Sequence, residues 1–321
     1  VTTVLLTGGA GFIGSHLARY ILENTDWAVV VLDRLDPAGD QKRLAPLVEQ
    51  HGRRMGIVWH DLRAAINPDR LRSYGDFRYV AHLAAGSHVD RSVRDPVGFC
   101  MDNVIGTAHL LEYVRQHQPH CEKALYFSTD EVFGPAPEGV IFDEHAPWNP
   151  ENPYAASKAG AEALCPAWAA QYGLPIVITH CSNAYGPGQD GEKFIPLCAG
   201  KVSRGELVQI HARGGKVSSR LYIHVDDVSR AVLTILQKGG ILHDAHSGKY
   251  NIVAAEELSN LLVAQQIAEV LGKPLRHELI ENPPNRPKPD MRYALSGRKL
   301  EALGWSPEVP FEIGLRSALA V

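Results

Sequence analysis

The sequence predicts an α/β fold, a doubly wound parallel sheet with a smaller, irregular C-terminal region, and three observations carry that expectation. Apolar runs alternate with helix-like segments through the first half of the chain. The first run leads into a glycine-rich turn, TGGAGFIGSHL, at the head of a helix. Past about Asn183 the alternation gives way to turn-rich stretches such as AYGPGQDGEKFIP and NPPNRPKPD.

Taken in order, TVLL, AVVVL, GIVW, YVAHL, KALYF and IVITH predict strands at residues 3–6, 28–32, 56–59, 79–83, 123–127 and 176–180. Each is a short run with little polar alternation, as a sheet covered on both faces requires. Helices are expected at 13–23, 103–116 and 155–172; Pro166 lies inside the last and, lacking a backbone donor, should kink or split it. At 321 residues the chain suits about two domains. Residues 1–183 are read as a Rossmann-type nucleotide-binding domain and 184–321 as mostly a substrate domain, with one short strand and two helices among its turns. Strand-like runs near 221–228 and 250–253 are expected to rejoin the first sheet, leaving a cleft between the two parts.

Composition narrows the function. A net charge of -4 gives no general attraction to nucleic acid or to an anionic membrane. The five cysteines are scattered, odd in number and without C-x-x-C spacing, so neither a disulfide framework nor a metal site is expected, and free buried thiols are. The chain enters its first strand directly, and no run approaches the roughly 20 apolar residues of a membrane span. A cytoplasmic location is the expectation.

The turn after the first strand spaces Gly8, Gly11 and Gly14 as G-x-x-G-x-x-G, with Phe12 and Ile13 opening the helix. Glycine lets the backbone turn tightly and approach a pyrophosphate, while a helix start offers unpaired N–H groups and a positive dipole end. The second strand ends in Asp33, placed to accept from an adenosine ribose, so NAD is expected over NADP, with Arg34 next door as the opposing signal. Asp61 and Leu62, after the third strand, suit an adenine edge or a plain surface turn.

NPYAASKAGAE supplies Tyr154 and Lys158, four apart and on one helical face. Joined to the glycine turn, to HLAAGSH (which includes Ala84) and to STDEVFG, this pair makes the chain resemble the extended short-chain dehydrogenase/reductase family over nearly its whole length. STDEVFG, SHVDRSVRDP, CSNAYGP, EKFIP and RYALSGRKLEALGW are most similar to the dTDP-glucose 4,6-dehydratases within it. The pattern departs from theirs at Gly86 (usually Glu), Ala184 (Asn), Val228 (His) and Pro289 (His), which puts substrate details in question more than chemistry.

The resemblance implies a lyase that oxidises a nucleotide-activated hexose at C4, eliminates water across C5 and C6, and returns the hydride to C6. Tyr154 would take the C4 hydroxyl proton, with Lys158 and the nicotinamide charge favouring its phenolate. Thr129 would hydrogen-bond the C4 oxygen, Asp130 would be the acid and Glu131 the C5 base. Two adjacent carboxyls oppose each other's ionisation, so one keeps its proton near neutral pH while the other is charged. Ser87, His88, Asn183, Glu192, Lys193 and Asn251 are candidate substrate contacts, with a core role for His88 and surface charge for the 192–193 pair as the competing readings. Arg220 and Arg292 match diphosphate-binding arginines, whose planar forks suit phosphate oxygens. The family also implies a homodimer formed by the 103–116 and 155–172 helices. A nucleotide-sugar 4-epimerase or related oxidoreductase, and a nucleotide-sensing protein without turnover, are the alternatives.

Overall fold

The computed structural model describes residues 1–36, 38–243, 247–281 and 290–320. Thirteen strands are formed among them: β1 (Thr3–Thr7), β2 (Ala28–Asp33), β3 (Met55–Trp59), β4 (Tyr79–His82), β5 (Lys123–Thr129), β6 (Ile176–Cys181), β7 (Asn183–Tyr185), β8 (Val208–Arg213), β9 (Lys216–Val217), β10 (Ser219–His224), β11 (Lys249–Ile252), β12 (Glu257–Ser259) and β13 (His277–Ile280). Seven of these make one sheet in the order β11-β6-β5-β4-β1-β2-β3, every pairing parallel.

Alternate side chains of the central strands feed two cores. Val4, Leu6, Val29 and Val31 pack with Leu17 and Ile21 of the Phe12–Asn24 helix and with Val228 and Val232 of the Val225–Lys238 helix. Leu5, Val30 and Leu32 face the other way, toward Leu110 and Val114 of the Gly106–His117 helix and Ala161 of the Pro153–Tyr172 helix. Both faces are therefore covered, which is why the strands read as apolar runs.

The later chain differs from the expectation in three ways. β11 joins the main sheet beside β6, but β10 does not rejoin it. Instead β10 pairs with β7 and β12 in a separate three-stranded sheet, and 225–228 begins the helix that returns to the main sheet's face. The physical reason is that β7 follows β6 almost at once and offers β10 a parallel edge away from the main sheet. Beyond Asn183 there are also more elements than one strand and two helices, including a second small sheet of β13, β8 and β9. They enclose a third core with Tyr185, Ile195, Val208, Ile210, Val263 and Phe311.

Pro166 does not split its helix, which runs unbroken from Pro153 to Tyr172. A missing N–H orphans only the carbonyl four residues back, and Ala161 and Cys165, both 0% exposed, anchor the turns before it in the core. The 103–116 expectation is met by a longer helical run: Pro96–Cys100, then a π-helical turn at Met101–Ile105, then Gly106–His117.

Candidate active site

The strand order reverses between β1 and its neighbours β4 and β2, so the chain leaves β1 and β4 toward opposite sides and a crevice opens at their carboxyl ends. The glycine turn sits there. Gly8 has φ +74, and a Cβ on it would lie 2.6 Å from the Ala84 nitrogen. A Cβ on Gly14 would lie 2.1 Å from the Gly8 carbonyl oxygen, so the helix can approach the strand only without one. Gly11 caps that helix with no side-chain hydrogen bond, leaving the first N–H groups, those of Phe12 and Ile13 among them, directed at the crevice.

Asp33 ties this turn to β2: its Oδ2 accepts from the Ala10 N–H at 2.9 Å and its Oδ1 from the Leu35 N–H at 2.9 Å. Beyond it lies an open groove of about 550 Å³ lined by Arg34, Leu35, Asp36, Trp59, His60, Asp61 and Arg63. Burial opposes ionisation of Asp61, but Arg63 and Arg34 outweigh it and hold the carboxyl down at about 2. Leu62 is buried, and its carbonyl accepts from His109 at 2.7 Å. The Gly cradle, the free helix start and the carboxylate at the end of β2 fit a dinucleotide.

At the carboxyl end of β5, Thr129 caps the short turn Asp130–Phe133, taking the Glu131 N–H and donating its hydroxyl to Asp130 Oδ1 at 3.1 Å. Asp130 is 3% exposed and its Oδ2 has no hydrogen-bond partner. Burial, reinforced by the Glu131 charge, pushes this carboxyl up to about 7. Burial and the charge of Asp290 raise Glu131 as well, while Asn152 donates to its Oε2 at 2.9 Å.

Tyr154 and Lys158 come from the Pro153–Tyr172 helix, started by Asn152, whose Oδ1 caps the Ala155 N–H. Burial and the Glu131 charge raise the Tyr154 phenol well above its ordinary value, opposed by a hydrogen bond with Thr129. Burial, ahead of any neighbouring charge, is what favours the neutral phenol. Burial brings the Lys158 ammonium down to about 8; it donates to the Phe127 carbonyl at 2.6 Å and lies 4.3 Å from the Tyr126 ring centre. Asn103 accepts the Gly86 N–H at 2.8 Å and donates to Ser157 at 2.7 Å, whose hydroxyl donates to the Tyr154 carbonyl.

The mouth of the crevice gathers four of the predicted contacts. Lys193 donates to the Ser87 carbonyl at 3.0 Å, and Glu192 lies 3.5 Å from His88 and 2.8 Å from Arg91. Burial lowers the His88 imidazole, and its Nδ1 is buried and unpartnered, as is Asn183 Oδ1. Buried polar atoms left without partners are costly, and three of them, on Asp130, His88 and Asn183, belong to residues expected to meet a ligand.

Three further predicted contacts, Asn251, Arg292 and Arg220, are held by protein partners. Asn251 is 0% exposed, its side chain meeting His180 and donating to the Ser296 carbonyl while its N–H donates to Glu144. Arg292 directs its Nε to Glu257 at 3.0 Å and its Nη1 to the Pro137 and Val140 carbonyls at 3.0 and 2.7 Å. Arg220 is fixed by the Ser219, Asp290 and Met291 carbonyls and stacks over Tyr293 at 4.9 Å, where its charge favours ionisation of both Asp130 and Glu131. Of the four departures from the dehydratase pattern, Val228 is wholly buried in the sheet core, Ala184 packs against that core, Gly86 borders Phe99, and Pro289 lies outside the described residues.

Asn152, Asp290 and Tyr293 were not singled out by sequence. Asn152 had a readable signal, N-P at a helix start; the other two meet the acids only through the fold.

A parallel sheet with a glycine cradle at its switch point, and a Tyr–Lys helix facing a buried acid pair, define an extended short-chain dehydrogenase/reductase. Within that class the chain belongs to the family described as GDP-mannose 4,6 dehydratase, whose pattern it matches over residues 5–318. It is 38% identical over 316 residues to the low-salt glycan biosynthesis protein Agl12 of Haloferax volcanii, covering 98% of this chain and 97% of that one. It is 36% identical over 339 residues to dTDP-glucose 4,6-dehydratase 1 of Escherichia coli K12, covering 98% and 91%. The crystal structure of DesIV, a dTDP-glucose 4,6-dehydratase from Streptomyces venezuelae solved with NAD bound, superposes with a TM-score of 0.87 at 33% identity over 99% of this chain and 96% of that one. An NAD complex of the Thermus thermophilus UDP-glucose 4-epimerase does so at 0.84 and 32%, over 99% and 98%.

Proposed function

We propose that the chain is an NAD-dependent 4,6-dehydratase of a nucleotide-activated hexose, with dTDP-glucose as the substrate, yielding the 4-keto-6-deoxy sugar. The observation that carries this reading is Asp130, a buried carboxyl with one unpartnered oxygen and an affinity for its proton that reaches neutral pH. Such a group suits the protonation of a departing C6 hydroxyl; an epimerase, which only removes and returns hydride at C4, has no step for it.

Bound NAD supplies the acceptor for the C4 hydride and its return to C6. Tyr154 takes the C4 hydroxyl proton, and Thr129, already in contact with Asp130, holds the C4 oxygen as it becomes a carbonyl. That carbonyl acidifies C5–H. Glu131, aimed by Asn152, removes the C5 proton while Asp130 gives its own to the leaving oxygen. Lys158, anchored on the Phe127 carbonyl, orients the ribose and adds positive charge behind Tyr154. His88, Asn183, Glu192, Lys193 and Ser87 line the entry and contact sugar or phosphate, and Arg220 tunes the acid pair. The residues 1–183 carry NAD and most of 184–321 carries substrate.

A homodimer is part of the proposal. Val93, Val97, Met101 and Ile105 are 51%, 72%, 40% and 37% exposed at four-residue intervals, an apolar stripe along the 89–105 helices beside the Pro153–Tyr172 helix. No described helix is long and apolar enough to cross a membrane, and the cysteines are free, which fits a reducing cytoplasm.

Incubation with a panel of dTDP-, UDP-, CDP- and GDP-hexoses tests the reading. The expected product is a 4-keto sugar lighter by one water, formed fastest from dTDP-glucose. A 4-epimer of unchanged mass, or no turnover with any of them, overturns it.

A further inference from the structure

We propose that Asp102 is a cofactor-specificity residue: it captures Arg34 and so closes the adenosine end of the site to a 2′-phosphate. An arginine one position after the ribose-binding acid is where a dinucleotide fold accommodates that phosphate, and the sequence alone leaves Arg34 as a signal for NADP. Its surroundings cancel the signal. The two terminal nitrogens of Arg34 donate to the two oxygens of Asp102 at 2.5 and 2.8 Å, a fork-to-fork pair. The same two nitrogens also reach Asp36 at 3.2 Å and Asp61 at 3.5 Å. The hydrogen bonds it donates to Asp102 are the main reason the guanidinium holds its proton even more firmly than usual.

The pair is built in rather than a chance surface contact. Asp102 lies in the π-helical turn Met101–Ile105, a distortion common at functional positions. Asp102 is 15% and Arg34 25% exposed at the side chain. Gly86 lies alongside the pair, a Cβ there coming 3.4 Å from Asp102 Oδ2 and 3.1 Å from the Phe99 ring. With Asp36, Asp61 and Asp102 paired to Arg34 and Arg63, carboxylates outnumber guanidinium groups in this cluster, and a further dianion meets repulsion.

The test is calorimetric binding of 2′-AMP and 5′-AMP, used as probes of the adenosine end, to the wild-type chain, Asp102→Asn, Asp102→Ser and the double variant Arg34→Met/Asp102→Asn. Freed from its clamp, Arg34 should bind 2′-AMP about tenfold tighter in both single variants, the least expected from a gained charge-assisted contact, with 5′-AMP little changed. The gain should vanish in the double variant. Folded single variants with no gain, a gain that survives loss of Arg34, or failure of both single variants to fold would each overturn the assignment, the last by making the pair a structural clamp.

Discussion

Asp130 illustrates how a single residue carries both chemistry and cost. Its carboxyl has one oxygen on the Thr129 hydroxyl and one without a partner, and burial plus Glu131 move it from 3.8 to about 7. The folded protein therefore keeps a proton that the unfolded chain releases near pH 4. Stability contributed at this site falls as pH rises through that window and is fully lost above about 7, the reverse of a salt-bridged aspartate. At 1.36 kcal/mol per unit the upper bound is roughly 4 kcal/mol. Asp130→Asn should thus match the wild-type melting temperature near pH 4 and exceed it at pH 8, and melting curves at both values check this; a difference independent of pH contradicts it. The residues in this pair were legible in the sequence because they are contiguous. Their partners were less so: Asp290 and Tyr293 approach them across 160 positions of chain.

At the scale of elements, the glycine turn and the parallel strands were readable because close backbone approach demands glycine and two-sided burial demands apolar runs. Gly14 is the tightest glycine of that turn, a Cβ there lying 2.1 Å from the Gly8 carbonyl oxygen. Gly14→Ala should push the helix off β1, costing at least the roughly 1–3 kcal/mol of overpacking, and the purified variant should release little or no NAD on denaturation. Wild-type NAD content in a variant of unchanged melting temperature would show that the cradle has slack. The irregular half was poorly readable for a physical reason: its strands are as short as the two residues of Lys216–Val217 and leave no periodicity to detect. The run at 221–223 looked like a return to the main sheet because burial of a strand does not specify its partner; β7 supplied an edge that apolar pattern alone could not reveal. The π turn at 101–105 likewise has no composition signature, yet it sends Asp102 to Arg34 and Asn103 to Gly86.

For the whole molecule, the exposed stripe of Val93, Val97, Met101 and Ile105 is the surface the dimer proposal rests on. Val97→Glu, changing its most exposed member, should give a monomer by light scattering at micromolar concentration while the wild-type chain scatters as a dimer; a wild-type monomer contradicts the proposal. The central claim is that Asp130 and Glu131 divide acid and base between them after Tyr154 has taken the first proton. It is tested most directly by solvent deuterium exchange at C5 of the bound sugar in Glu131→Gln, with Asp130→Asn beside it. Glu131→Gln should still show the nicotinamide absorbance of C4 oxidation but no C5 exchange, whereas Asp130→Asn should exchange C5 and eliminate water slowly, by the roughly 10²–10⁴-fold typical of a lost general acid. Exchange at the wild-type rate in Glu131→Gln would contradict the account, because some other group would then be the base.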